Sequence, residues 1–137
     1  VGASDGVLAN LGVGAVRCGV AAVSVGTSGA LRVVVDEPVV DDRHRLFCYV
    51  LTDDAWVVGG AVNNGGSVVR WAAQALAAER GRPDPEGEDA DALDAALLDE
   101  AAGVAPGSDG LLCLPYLLGE RAPWWRSGLS GAYLGLR

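Results

Sequence analysis

Two short segments carry side chains suited to chemistry on a hydroxyl and on an anion. Asp5 stands in Gly2-Ala3-Ser4-Asp5-Gly6, directly before an apolar run, and further on Thr27 and Ser28 are enclosed by glycines in Gly26-Thr27-Ser28-Gly29. A helix N-terminus favours negative charge, so an aspartate there stays ionised and can accept a proton from a hydroxyl. Taken alone, an aspartate in that place is more often a cap, stabilising by about 1 kcal/mol. The glycine-flanked turn can direct successive backbone N–H groups inward as an anion-binding concavity, with the two hydroxyls as further donors. Taken alone, it is more often only a turn. The familiar nucleotide motifs are absent: a Walker A loop requires a lysine, which this chain lacks, and Gly12-Val13-Gly14 has no glycine at the Rossmann spacing.

These side chains need elements to hold them. Val7, Leu8, Leu11 and Val13, with Asn10 between, predict a helix over residues 6–14 with Asp5 at its entrance. Residues 21–25 and 30–35 are β-prone and joined by the Gly26–Gly29 turn, so they predict a hairpin with Thr27 and Ser28 at its tip. Residues 46–51 and 56–59 repeat that arrangement around Thr52-Asp53-Asp54, suggesting an antiparallel stretch of a mixed sheet. Asn63-Asn64-Gly65-Gly66 then opens a helix through Val68, Val69, Ala72, Ala75 and Leu76, with Asn64 a suitable N-cap. A second helix over residues 89–101 aligns Leu93, Ala96, Leu97 and Ala101. Residues 111–115 read as a short buried strand, and residues 119–137 as a structured loop ending in a short strand.

With 137 residues, half of them hydrophobic, the chain can bury the core of one domain. The formal charge of -8, with scattered arginines and no lysine, argues against nucleic acid or an anionic membrane as partner. Half of the 18 acidic residues fall between Glu79 and Glu100, around Pro83 and Pro85, as expected of a solvated surface helix and its loop. Cys18, Cys48 and Cys113 are dispersed and odd in number, and predict buried free thiols in a reducing compartment such as the cytoplasm. With His44 the only histidine, no metal site is expected in the chain. No apolar run reaches the roughly twenty residues that cross a bilayer. Because the chain starts on Val1, has no methionine and carries its candidate base at its fifth residue, it is expected to be part of a longer protein.

Taken together, the motifs resemble the FGGY family of carbohydrate kinases, and the gluconate kinases within it most closely. The resemblance runs through Gly2-Ala3-Ser4-Asp5-Gly6 with Leu8-Ala9-Asn10-Leu11-Gly12, Gly26-Thr27-Ser28-Gly29-Ala30, Phe47-Cys48-Tyr49, Val62-Asn63-Asn64-Gly65-Gly66, Arg70-Trp71, Leu114-Pro115-Tyr116-Leu117 and Gly119-Glu120-Arg121-Ala122-Pro123. It implies an α/β, ribonuclease H-like fold of the actin and hexokinase type, with this chain as the first part of the second of two domains. The first domain and the later adenine-binding segment would then lie outside it. It also implies ATP-dependent phosphorylation, with Mg2+, of a sugar or sugar acid, gluconate to 6-phosphogluconate. Ala3-Ser4-Asp5-Gly6, in place of the Gly-Gly-Asp-Asn motif usual in xylulose kinases, favours gluconate. Xylulose and glycerol remain alternatives, as does a truncated, non-catalytic module that binds phosphate or a partner.

By resemblance, Asp5 is the catalytic base and, with Gly6, contacts the sugar. Gly26 and Thr27, helped by Ser28, contact the transferring phosphate. Gly66 lies against the nucleotide, with Val69 and Arg70 nearby, and Arg121 pairs with a carboxylate while Pro123 and Trp124 pack under the cleft. The isolated chain is expected to be inactive, and to self-associate or unfold easily through apolar surface near residues 1–11 and 133–136.

Overall fold

The computed structural model describes residues 4–81 and 88–137. The Pro83 and Pro85 loop, like Gly2 and Ala3, lies outside the described residues. Helix α1 (Asp5–Gly12) is followed by strands β1 (Ala21–Val25), β2 (Gly29–Val35), β3 (Phe47–Thr52) and β4 (Ala55–Val62). Helices α2 (Gly66–Glu79) and α3 (Glu88–Ala102) come next, then the short strands β5 (Leu112–Leu114) and β6 (Ala132–Leu134).

The four long strands form one antiparallel sheet in the order β1-β2-β4-β3. Both expected hairpins are present, and pairing of β2 with β4 joins them. Because side chains alternate across a pleated strand, the register sets Ala22 and Ser24 of β1, Arg32 and Val34 of β2, and Val57 of β4 on one face. Helix α1 lies on that face. Its Val7 packs with Val34 and Val57 in a core that Leu51 and Ala55 flank, and Val57 is 0 % exposed. Asn10, one turn further along α1, is also buried and donates to the Ala15 carbonyl at 3.2 Å, closing the turn that follows the helix.

Helices α2 and α3 pack side by side and run in the same direction, start beside start and end beside end. Ala73, Leu76 and Ala77 of α2 face Leu93, Ala96 and Leu97 of α3; the spacing predicts the α3 stripe, whereas on α2 Ala73 and Ala77 are buried in place of the expected Ala72 and Ala75. Ion pairs tie the two ends. Arg70 donates to Asp94 and Asp91 at 2.7 Å each, and Arg80 reaches both carboxylate oxygens of Glu100 at 3.0 and 3.2 Å. Part of the acidic run is thus engaged by arginines and is not simply a solvated face. No helix among the described residues is long and apolar enough to cross a membrane.

Two expectations about burial fail. Strand β5 is open, with Leu112 and Cys113 exposed, because it pairs only with β6 in a two-stranded ribbon. The three cysteines are free, as expected, but Cys18 and Cys113 are exposed and Cys48 is half-buried. An apolar sequence neighbourhood covers a thiol only where a second layer packs on that strand face. Leu8 and Leu11 of α1, Val23 and Val25 of β1, and Tyr133 to Leu136 at the end of the chain also stay open, as the expected apolar surface requires.

With so small a core, Val57→Ala should destabilise the chain by about 2 to 3 kcal/mol, whereas Val23→Ala on the open face should cost less than about 0.5 kcal/mol. Thermal denaturation of the two variants side by side checks this, and equal losses would contradict the packing.

Candidate functional site

The Gly26–Gly29 turn and the start of α2 form one unit. The Gly26 carbonyl accepts the Gly66 N–H at 2.7 Å, and the Thr27 carbonyl accepts those of Gly65 and Ser67, both at 3.2 Å. The turn therefore supplies the acceptors that the unpaired N–H groups of a helix start require. Gly65 is the N-cap and no side chain caps the helix, so Asn64 does not have the capping role that its position predicts. The approach is close enough to demand glycine. A Cβ on Gly65 would lie 2.6 Å from the Ser28 carbonyl carbon, and one on Gly66 would lie 2.9 Å from the Gly26 oxygen.

This docking changes how the turn can meet an anion. The Gly26 N–H is held by the Ser28 carbonyl at 2.8 Å, and those of Gly66 and Ser67 point at turn carbonyls, whereas the N–H groups of Thr27 and Ser28 make no backbone hydrogen bond among the described residues. Thr27, Gly66 and Arg70 do come together, lining a groove of about 440 Å³ with Ser67, Trp71, Gln74 and Asp94. The Ser67 Oγ is buried without a hydrogen-bond partner. Ser28 and Val69 do not line the groove, and Gly26 backs it through its carbonyl. Arg70 reaches it with its guanidinium already bound to Asp94 and Asp91.

Asp5 is the first residue of α1, behind an N-cap, Ser4, that makes no side-chain hydrogen bond. Asp5 is exposed, and its Oδ1 accepts the Gly6 N–H at 2.7 Å. It does not line the groove. The start of α1 nevertheless lies over β2, the strand that leads out of the turn. Val7 packs on Val34, and Gly6 sits on Arg32, whose Nε and Nη2 lie 3.4 Å from the position of a Gly6 Cβ. From Arg32 to Gly29 is three residues along β2, roughly 10 Å at the rise of a strand.

The residues that hold this unit in place are Glu120 and Asn64. Glu120 is only 6 % exposed. Its Oε1 accepts the N–H groups of Asn63 at 2.6 Å and Arg121 at 2.8 Å, and its Oε2 accepts the Asn64 amide at 3.0 Å. Asn64 also donates to the Gly119 carbonyl at 2.6 Å and accepts from Leu117 at 2.9 Å. The loop over residues 117–121 is thereby clamped to the joint between β4 and α2. Burial pushes the Glu120 carboxyl up, but the donors from Asn64, Asn63 and Arg121 together outweigh it and hold it below the ordinary carboxylate value. In the sequence, Glu120 is marked by its place in the Gly119-Glu120-Arg121-Ala122-Pro123 motif, which points to a structural role for the loop but not to these partners.

Arg121 donates to the Val62 carbonyl at 2.9 Å and has no carboxylate partner among the described residues, contrary to expectation. A backbone carbonyl at the end of β4 lies within its reach, and Glu120 is already engaged by other donors. Trp124 is exposed, so it does not pack beneath a cleft as expected, and its Nε1 bonds the Tyr116 hydroxyl at 3.0 Å.

The profile of the FGGY family of carbohydrate kinases, C-terminal domain, matches residues 21–137. The chain belongs to the FGGY family of carbohydrate kinases. This FGGY chain is 50% identical to the gluconokinase of Bacillus subtilis (strain 168), over 99% of the chain and 26% of that protein. It is 30% identical to the xylulose kinase of Lactococcus lactis subsp. lactis (strain IL1403), over 98% of the chain and 25% of that protein. Its fold matches the crystal structure of gluconate kinase from Lactobacillus acidophilus with a TM-score of 0.83 at 41% identity, over 99% of the chain and 25% of the other. A ligand-bound xylulose kinase from the same organism matches with the same score, identity and coverage. The FGGY chain therefore spans about a quarter of the length of these relatives, and its α/β fold is of the actin and ribonuclease H-like type.

A carboxyl held below its ordinary value stabilises the fold fully above the unfolded value of about 4.5 and loses that contribution as pH falls through its folded value. Glu120→Gln should lower stability at pH 7 by about 1 to 3 kcal/mol, because an amide cannot accept from all three donors. It should also flatten the loss of stability below pH 4.5. Chemical denaturation from pH 3 to 7 checks both, and an unchanged acid limb would contradict the clamp.

Proposed function

We propose that this chain forms the first part of the second domain of an ATP-dependent carbohydrate kinase, with gluconate as the acceptor and 6-phosphogluconate as the product. The observation that carries this reading is 50% identity to a gluconokinase over 99% of the chain, a match that includes the Asp5 and Thr27 segments. A first domain would supply the other wall of the cleft, and without it the chain would not turn over. The cytoplasm, where gluconate and ATP meet, is the proposed compartment.

In the proposed mechanism Asp5 is the general base. As the sugar-acid hydroxyl oxygen forms its bond to the phosphorus and the bond to the leaving nucleotide oxygen breaks, an Asp5 carboxylate oxygen takes the hydroxyl proton. Oδ1 is oriented by the Gly6 N–H, and the position at the helix start leaves the carboxylate exposed. Gly6, without a side chain, leaves the sugar room to approach.

The Thr27 hydroxyl, the backbone of Gly26 and Gly66 and, more distantly, Ser28 and Val69 would border the nucleotide phosphates. The groove fits such a guest: it offers hydroxyl donors and a glycine wall, and its one guanidinium, that of Arg70, is held by two aspartates. Magnesium needs only one or two carboxylates besides phosphate and water oxygens, and would supply charge neutralisation at the phosphates.

Xylulose is the second reading, because a xylulose kinase structure matches this chain as well as the gluconate kinase structure does. In the full-length kinase that contains this chain, Asp5→Asn should cut kcat by about a hundredfold or more with little change in the KM for gluconate. Thr27→Ala should raise the KM for ATP. Steady-state kinetics with gluconate, xylulose and glycerol tests base and substrate together. Near-normal turnover in Asp5→Asn removes the proposed base, and preference for xylulose overturns the substrate alone.

A further inference from the structure

Arg32 was not singled out by its sequence. It lies on the α1-covered face of β2, between Val34 of the core and the Thr27 turn, with its guanidinium half-buried. The Nε–Nη2 edge is turned toward Gly6: Nε and Nη2 lie 3.4 Å and the central carbon 3.7 Å from the position that a Gly6 Cβ would take, space that glycine leaves open. One corner is fixed, Nη1 donating to the Ser24 Oγ at 3.1 Å across the hairpin. The Nε–Nη2 edge has no partner among the described residues. Among the described residues Arg32 makes no ion pair, whereas Arg45, Arg70 and Arg80 each hold a carboxylate.

That edge is the part of a guanidinium that grips two oxygens of one planar or tetrahedral anion. It stands beside the residue that follows Asp5, and a cation there also faces the positive end of α1, an arrangement that an anion would relieve. Asp5 is not that anion, since no Arg32 nitrogen comes within 4.0 Å of its carboxylate.

We propose that the free Nε–Nη2 edge of Arg32 binds an oxyanion of the reactants and makes Arg32 a specificity-determining residue for acidic sugars. The inference rests on the reading of the chain as part of a carbohydrate kinase. Two reactant groups offer this chemistry, the carboxylate of a sugar acid and the phosphoryl group in transfer. The carboxylate is the source that would favour gluconate over neutral acceptors of similar length.

The test uses the full-length kinase with Arg32→Lys and Arg32→Met, and measures kcat and KM for gluconate, for neutral xylulose and for ATP. Lysine keeps the charge but lacks the two-pronged edge, so a role confined to packing on Gly6 would shift the melting temperature without splitting the acceptors. The expected result is a rise of about 10- to 100-fold in the KM for gluconate in Arg32→Met, a smaller rise in Arg32→Lys, and no matching change for xylulose. A fall in kcat for both acceptors, with a raised KM for ATP, supports the oxyanion site and assigns it to the phosphoryl group. Unchanged constants in both variants, or losses equal for every substrate and matched by lower thermal stability, overturn the proposal. A wild-type kinase that phosphorylates none of these acceptors would instead overturn the functional reading beneath it.

Discussion

The carbonyls of Gly26 and Thr27 facing the first N–H groups of α2 are the contact on which the arrangement of the candidate site depends. A helix start must find acceptors, and a hairpin tip must dispose of carbonyls that no neighbouring strand accepts. Here each need meets the other. The two glycines of Asn63-Asn64-Gly65-Gly66 follow directly, because any Cβ there would run into the turn. The N–H groups used to dock the turn are not free for phosphate, which leaves those of Thr27 and Ser28, with the Thr27 hydroxyl, as the donors of the turn.

A second constraint comes from far along the chain. Glu120 is buried, which disfavours its charge, yet three donors around the β4–α2 joint hold it ionised. Removing one member of such a network leaves the others buried and unmatched, which costs more than any single bond contributes. The loop over residues 117–121 is therefore part of the frame of the groove although it does not line it. The Arg70 and Arg80 ion pairs do comparable work at the two ends of the α2–α3 pair, with less effect per bridge because they are more exposed.

Asp5 and Arg32 illustrate how the small core aligns the candidate chemistry. Val7 on Val34 sets the height of α1 above β2, and one residue earlier in α1 and two earlier in β2 Gly6 meets Arg32. Packing of two valines thus decides where a carboxylate and a guanidinium stand relative to the hairpin tip. The chain spans only a quarter of its relatives, and much of its apolar surface is open. Such a surface suits a unit that completes its cleft against further structure.

The residue pattern alone determined the elements. Glycine-flanked turns, period-2 strands and the Leu93, Ala96 and Leu97 stripe are local properties, because backbone conformation and alternation act over a few residues. The ordered series of motifs from Asp5 to Pro123 likewise carried the family. What only tertiary structure decided is which polar groups are already engaged. Asn64 left its capping position for the loop over residues 117–121, Arg121 chose a backbone carbonyl over a carboxylate, and Cys113 stayed open on a ribbon covered by no second layer. Each choice depends on partners distant in sequence, such as Glu120 for Asn63. The free edge of Arg32 belongs to the same class: periodicity fixes its side of the sheet, but only the docking of α1 decides what faces it.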